Sequence, residues 1–282
     1  MKLGKSVRPD PPVQASWATP SAAATTQAIL SISGLLFSYD TAEAPALDGL
    51  SLDISPGVVT AILGPNGSGK TTLLRVLLGV LPPSSGTIWL DGQPQHSYSR
   101  RRQSQLIGLV PQEEHIPFDF SVLEYVLLGR APYLGPLAMP GRSDREIALQ
   151  ALDTAGLSDL RDRPLPTLSG GERQLAVVAR ALAQQPRILL MDEPTAHLDL
   201  SNQGRVLSIM RELKVRGVTL VMTTHDPNLA SSIADFAVLM RQGKILEAGP
   251  AEDMLTDSKL SSTYGVPVQV FHVDGRCVIL LP

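Results

Sequence analysis

Hydrophobic and polar positions along the chain change period several times, and each change predicts an element. Ile29-Leu30-Ser31-Ile32-Ser33 alternates, as does Leu50-Ser51-Leu52-Asp53-Ile54. A period of two is what a strand buried on one face produces. The first run continues through Leu36-Phe37-Ser38-Tyr39, and the second stops at Ser55-Pro56-Gly57, a turn signal. Val58-Val59-Thr60-Ala61-Ile62-Leu63 is instead almost wholly apolar, the pattern of a strand covered on both faces, and Leu73-Leu74-Arg75-Val76-Leu77-Leu78 then takes helical spacing. Pro82-Pro83-Ser84-Ser85-Gly86 ends that helix, Thr87-Ile88-Trp89-Leu90 reads as a strand and Asp91-Gly92 as a turn, which together predict a mixed sheet. Leu106-Ile107-Gly108-Leu109-Val110, Ile188-Leu189-Leu190-Met191 and Val218-Thr219-Leu220-Val221-Met222 repeat the buried-strand pattern.

Between Ser121 and about Leu165 the period becomes helical, through Val122, Tyr125, Val126, Ile147, Leu149, Leu152 and Leu157. Gly129, Pro132, Gly135, Pro136, Pro140 and Gly141 interrupt it, so this stretch predicts an inserted helical subdomain. An alanine-rich helix should run to Leu182 with Ser169 as its cap, and another from about Ser201 to Val215. The strands ending at Leu63, Val110, Met191 and Met222 are each followed by a polar or glycine-containing loop. In an open parallel sheet such loops gather at one edge, where ligands bind. The fold expected is α/β: a mostly parallel sheet, an antiparallel flank of the first two strands, and the helical insertion. The division expected is a tail over 1–27, one domain over 28–265 with its helical subdomain at about 113–166, and a short extension over 266–282.

Composition narrows the function. With 282 residues and 43% hydrophobic content the chain can bury a substantial core. A net charge of -3 lacks the basic field of nucleic-acid binding, so no nucleic-acid partner is expected. The single cysteine, Cys277, excludes an internal disulfide and fits a reducing compartment such as cytoplasm. No apolar run approaches the roughly 18 residues of a membrane helix. Residues 1–27, with Lys2, Lys5, Arg8 and a solitary Trp17, hold too little apolar surface to fold and read as disordered. Arg100-Arg101-Arg102 is shorter than a lipid-binding cluster and reads as a solvated helix face. His96, His115, His197 and His272 show no metal-ligand spacing with one another or with Cys277.

The chemistry concentrates in Gly64-Pro65-Asn66-Gly67-Ser68-Gly69-Lys70-Thr71-Thr72, between the first apolar run and the first helix. Gly-x-x-x-x-Gly-Lys-Thr in a strand–loop–helix setting is a phosphate loop. Its glycines let backbone amides turn inward, the helix start adds partial positive charge, and Lys70 adds a full one. Asp192 and Glu193 end a buried strand, so the first carboxylate can share a hard cation with the Thr71 hydroxyl while the second points elsewhere.

Six stretches in order resemble the ATP-binding cassette family: the loop at Gly64–Thr72, Gln112, Leu168-Ser169-Gly170-Gly171-Glu172-Arg173-Gln174, Ile188–Glu193, Ala196-His197-Leu198-Asp199, and His225. The resemblance covers about residues 28–250, and the Leu168–Gln174 run is its most specific element. It implies an ATPase using ATP and magnesium. Tyr39 would stack on adenine, and Gly64 to Thr72 would hold phosphate. Thr71, Asp192 and Gln112 would hold the metal. Glu193 would serve as general base or water-positioner, with His225 and Gln112 beside the γ-phosphate. Asp199 would belong to the nucleotide site, and Ser169, Gly170 and Gly171 would serve the nucleotide of another copy, which implies a head-to-tail homodimer enclosing two ATPs. It also implies transmembrane permease subunits as partners at the cytoplasmic face of the membrane, with an external substrate-binding protein acting through them.

Val126-Leu127-Leu128-Gly129-Arg130-Ala131-Pro132-Tyr133-Leu134 and Tyr264-Gly265-Val266-Pro267-Val268 resemble ATPases of importers for iron-siderophore, haem and vitamin B12. Thr223-Thr224 before His225 departs from the aliphatic pair common there and matches some zinc and manganese importers. An exporter ATPase is the nearer rival, opposed by the segment after Gln112. A soluble cassette protein acting on ribosomes or DNA would usually carry two cassettes or a long inserted coiled coil, and neither is seen.

Overall fold

The computed structural model describes residues 27–40, 43–114, 118–273 and 276–282. The readings on residues 1–26, Trp17 included, and on His115 lie outside the described residues. In chain order the elements are β1 (Leu30–Phe37), β2 (Leu47–Ile54), β3 (Val59–Leu63), α1 (Lys70–Leu77), β4 (Ser85–Leu90), β5 (Gln93–Pro94), α2 (Arg100–Leu106) and β6 (Ile107–Val110). Then come α3 (Val122–Leu127), α4 (Arg142–Ala155), α5 (Gly170–Ala183), β7 (Ile188–Asp192), α6 (Leu200–Val215), β8 (Thr219–Thr224) and α7 (Pro227–Ile233). The chain finishes with β9 (Phe236–Arg241), β10 (Lys244–Pro250), α8 (Ala251–Met254), α9 (Asp257–Tyr264), β11 (Gln269–Val273) and β12 (Arg276–Leu280).

The central sheet has the order β10-β9-β3-β8-β7-β6, parallel except for the β9–β10 pair. Every residue of β3, β7 and β8 is buried, as expected for strands covered on both faces. Side-chain alternation divides these strands between two cores. Ile62, Leu190 and Val221 face α1 and the inner faces of β1, β2 and β4. Ala61, Leu63, Leu189, Met191, Leu220 and Met222 face α5, α6 and the helical insertion. The strand around Thr87–Leu90 therefore does not join a single mixed sheet beside the loop. It pairs with β1 in a separate antiparallel sheet, β2-β1-β4-β5, because α1 fills the space between the two sheets.

The inserted helices do not close on themselves. Capping boxes start α3 (Ser121 with Glu124) and α5 (Ser169 with Glu172), satisfying amides that open each helix. The turn after α3 lies so close to α5 that a Cβ on Gly129 would sit 2.2 Å from the Arg180 carbonyl oxygen, a place only glycine fits. Next to it the buried Arg130 guanidinium pairs with Asp144 of α4 at 3.0 Å, donates to the Ala183 carbonyl at 2.8 Å and lies 4.0 Å from the Tyr133 ring centroid. The Gly129-Arg130 pair thus joins three pieces of the helical layer.

The arginine triplet lies on an exposed face, as its sequence suggests, with Arg100 and Arg101 exposed and Arg102 half-buried. Arg100 donates to the Gly79 carbonyl, Arg101 to those of Pro132 and Tyr133 at 2.9 Å each, and Arg102 to Gln105 Oε1 at 3.2 Å. Arg100 and Arg101 thus reach, across the surface, carbonyls near the end of α1 and in the turn after α3.

Candidate active site

Gly69 opens α1 with φ +99°, and a Cβ there would lie 2.4 Å from the Ala46 carbonyl oxygen, so the loop passes where a side chain cannot. No side chain caps α1, and the amides of its first turn meet no acceptor among the described residues. Lys70 is only 6% exposed, with Nζ donating to the Gly64 and Pro65 carbonyls at 2.8 and 3.1 Å. Burial lowers its pKa, while the charges of Glu193 and Asp192 oppose that shift. Ser68 Oγ is buried and has no hydrogen-bond partner among the described residues. A buried hydroxyl, open amides and a cation that face one another need an anion to complete them.

The carboxylates arrive from β7. Thr71 Oγ1 donates to Asp192 Oδ1 at 3.1 Å, which sets a hydroxyl and a carboxylate of different origin side by side. Asp192 also accepts from Thr223 Oγ1, and that hydroxyl in turn accepts from the Glu193 amide at 3.1 Å. The two residues meet because Asp192 and Thr223 are partners in the β7–β8 ladder. Glu193 takes φ +46°, uncommon for a residue with a side chain, and this left-handed step turns its carboxylate out of the strand. Glu193 Oε2 then lies 3.0 Å from His225 Nδ1 and 3.5 Å from Gln112 Nε2. Gln112, Glu193 and His225, 113 positions apart at the extremes, converge on one oxygen.

Gln112, Glu193 and His225 line a cavity of about 780 Å³, within the range of sites for small ligands. Tyr39 closes one side, its hydroxyl 3.2 Å from Thr72 Oγ1 and its ring edge-on to Phe37. Asn66, Gly67, Ser68, Gly69, Lys70, Thr71 and Thr72 form the floor. Ala196 and His197, from the stretch that ends at Asp199, also line it, as do Ala46, Thr195 and Gln203, which sequence reasoning did not select. Thr223 was legible only as a family departure; its hold on the Asp192 carboxylate and the Glu193 amide depends on strand pairing.

Of the expected site residues, Gly64, Pro65 and Asp192 stand behind the lining, bonded to Lys70 and Thr71, and Ser169, Gly170, Gly171 and Asp199 do not line the cavity. Within one chain the Asp199 carboxylate caps α6, accepting from the Asn202 amide at 2.8 Å. A Cβ on Gly171 would meet Asn202 Nδ2 at 2.2 Å, so the starts of α5 and α6 adjoin, while Gly170 faces open space. The segment after Gln112 is tied to that second region. Glu114 accepts from Tyr125 Oη at 2.9 Å and pairs with Arg180 of α5, the helix that begins at the Ser169 cap. Burial pushes the Tyr125 phenol far above its usual range, which keeps it a donor.

The residues present fit a nucleoside triphosphate with a hard divalent cation: an anion cradle, one buried lysine and a hydroxyl–carboxylate pair suited to oxygen coordination. A family profile described as ABC transporter matches residues 47–196. The hemin import ATP-binding protein HmuV of Gloeobacter violaceus is 38% identical over 244 residues, covering 84% of this chain and 88% of that protein. The manganese transport system ATP-binding protein MntA of Synechocystis is 34% identical over 238 residues, covering 84% and 90%. A solved structure described as a metal-chelate type ABC transporter in an inward-facing conformation superposes with TM-score 0.78 at 35% identity, covering 91% and 97%.

Proposed function

Because the chain belongs to the ABC transporter family, as an ATP-binding subunit whose ATP hydrolysis is coupled to transport, we propose that it powers import of an iron chelate or haem. It works at the cytoplasmic face of the membrane, against permease subunits that receive cargo from an external binding protein. No helix among the described residues is long and apolar enough to cross a membrane, so the path for cargo is assigned to those partners. Support for this cargo class comes from the hemin-import relative, the metal-chelate neighbour and the Gly129-Arg130 turn.

The observation that carries the mechanism is the separation of two phosphate-binding arrangements on one chain. Asn66 to Thr72 of the phosphate loop line the cavity, and the Ser169-Gly170-Gly171 helix start lies outside it with Gly170 open. Each needs a partner, and a second copy placed head to tail supplies both. Within each half, Lys70 and the open amides hold phosphate oxygens, and Tyr39 packs the base. Thr71 and Asp192, with Gln112, would hold magnesium, which when bound neutralises phosphate charge. Glu193 accepts a proton from the attacking water and passes it to solvent; His225 holds Glu193 and the terminal phosphate in register. Specific ATPase activity should rise with protein concentration over the range where sedimentation shows dimer forming. A fully active, demonstrably monomeric sample would exclude the shared site.

Opening and closing reach the permease through Glu114, which couples the Gln112 segment to α3 and α5. Reconstituted with its permease, the chain should hydrolyse ATP faster when a binding protein loaded with ferric chelate or haem is added. Glu114→Gln should lose most of that stimulation, about fivefold or more, because the charged pair to Arg180 is gone. Unstimulated turnover should change little. Full stimulation in that variant would break the coupling assignment. Manganese import is the second reading, favoured by Thr223-Thr224 and by the manganese-system relative; stimulation by manganese-loaded protein but not by chelate would select it.

A further inference from the structure

The C-terminal segment fastens to the stretch that carries His225 at three points. Tyr264, the last residue of α9, donates its hydroxyl to the His225 carbonyl at 3.2 Å. Asn228, at the start of α7, exchanges two hydrogen bonds with Ile279 of β12: its Nδ2 donates to the Ile279 carbonyl at 3.0 Å and its Oδ1 accepts the Ile279 amide at 2.8 Å. Ser231 Oγ, one turn further along α7, donates to the Cys277 carbonyl at 3.0 Å. The end of α9 is itself held to the central sheet, since Arg241 at the end of β9 donates to the Ser262 carbonyl at 2.7 Å. Residues 225–231 therefore lie between a fixed sheet edge and a C-terminal clamp.

We propose that Tyr264 is a positioning residue for His225: by holding the His225 carbonyl it sets where the imidazole stands against Glu193, and the β11–β12 hairpin holds the helix behind it. The physical case rests on rigidity. The His225 side chain is 57% exposed, so its own packing does little to fix it. Its ring meets Glu193 Oε2 at 3.0 Å only if the backbone behind it stays still. The Tyr264 phenol remains protonated and able to donate at all ordinary pH values. Burial raises its pKa first and the charge of Asp226 adds to that, against the opposing Gly64 amide. The segment thus acts on hydrolysis without touching nucleotide, and its apolar outer face at Phe271 and Val273 is free of that task.

This inference rests on the reading of His225 given above, and a double-mutant cycle separates the two. In the full chain, Tyr264→Phe should lower kcat for ATP about fivefold to tenfold. KM for ATP should stay within about twofold and the thermal midpoint within a few degrees. His225→Ala should lower kcat by about 10²-fold, and adding Tyr264→Phe to it should cost nothing more, since the residue it positions is gone. Wild-type turnover in Tyr264→Phe beside a slow His225→Ala overturns the positioning role and leaves the histidine reading standing. Independent losses that multiply in the double variant also overturn it, as does a loss of kcat matched by a collapse of the thermal midpoint. Wild-type turnover in His225→Ala removes the histidine reading itself.

Discussion

Glu193→Gln should lower ATP turnover by about 10²-fold or more while the protein still binds ATP. The substitution keeps the shape of the side chain, and the φ of +46° at this position is no harder for glutamine than for glutamate. Hydrogen bonding survives too. The Glu193 amide still reaches Thr223, and a side-chain amide can still meet the His225 ring, now 3.0 Å from Oε2, or the Gln112 amide. What is lost is the ability to take a proton. An amide can orient a water but cannot act as its base, so the chemical step slows and nucleotide affinity does not. Rapid-quench measurement of phosphate formation, with calorimetry for ATP binding, tests this, and near-normal turnover would remove Glu193 from the base role.

Lys70→Ala acts on the other quantity. Its ammonium is the one cation in the cavity floor and is 6% exposed, so its charge is screened little by water. In the free protein it donates to the Gly64 and Pro65 carbonyls, and phosphate oxygens compete with those acceptors. Exchanging two neutral acceptors for anionic ones is favourable, because hydrogen bonds between ionised partners are roughly twice as strong as neutral ones. Removing the ammonium should weaken ATP binding by about 10²-fold or more, which corresponds to about 3 kcal/mol of charge-assisted bonding. Unchanged affinity by calorimetry would contradict the assignment. The two substitutions separate binding from chemistry: Lys70→Ala should raise Kd, and Glu193→Gln should leave it nearly alone.

Several neighbouring interactions gain meaning from these expectations. Asp192 is held from two sides, by Thr71 of the phosphate loop and Thr223 of β8, so the cation site is prepared before any cation arrives. Glu193 is held in an unfavourable backbone conformation by the same Thr223. Strain of this kind persists only where surrounding bonds overdetermine it, and it places the carboxylate where a regular strand would not.

The sequence by itself determined the sheet and the loop. A phosphate loop needs glycine at steps where backbone must turn or approach closely, and those requirements lie within nine consecutive residues. Apolar runs such as Ile188–Met191 announce strands buried on both faces, and Ser169 with Glu172 announces a helix start, because these are local patterns with local causes. Tertiary structure decided everything that depends on two distant segments meeting. It put Thr223 between the Asp192 carboxylate and the Glu193 amide through strand pairing, brought Arg100 and Arg101 onto carbonyls of distant segments, and split the expected mixed sheet in two around α1. It also made the Asp199 carboxylate the cap of α6 and set the Ser169 region outside the cavity that holds Lys70. The reason is the same in each case: residue type and spacing encode what one segment can do alone, whereas partners for buried polar groups are assigned only when the chain packs.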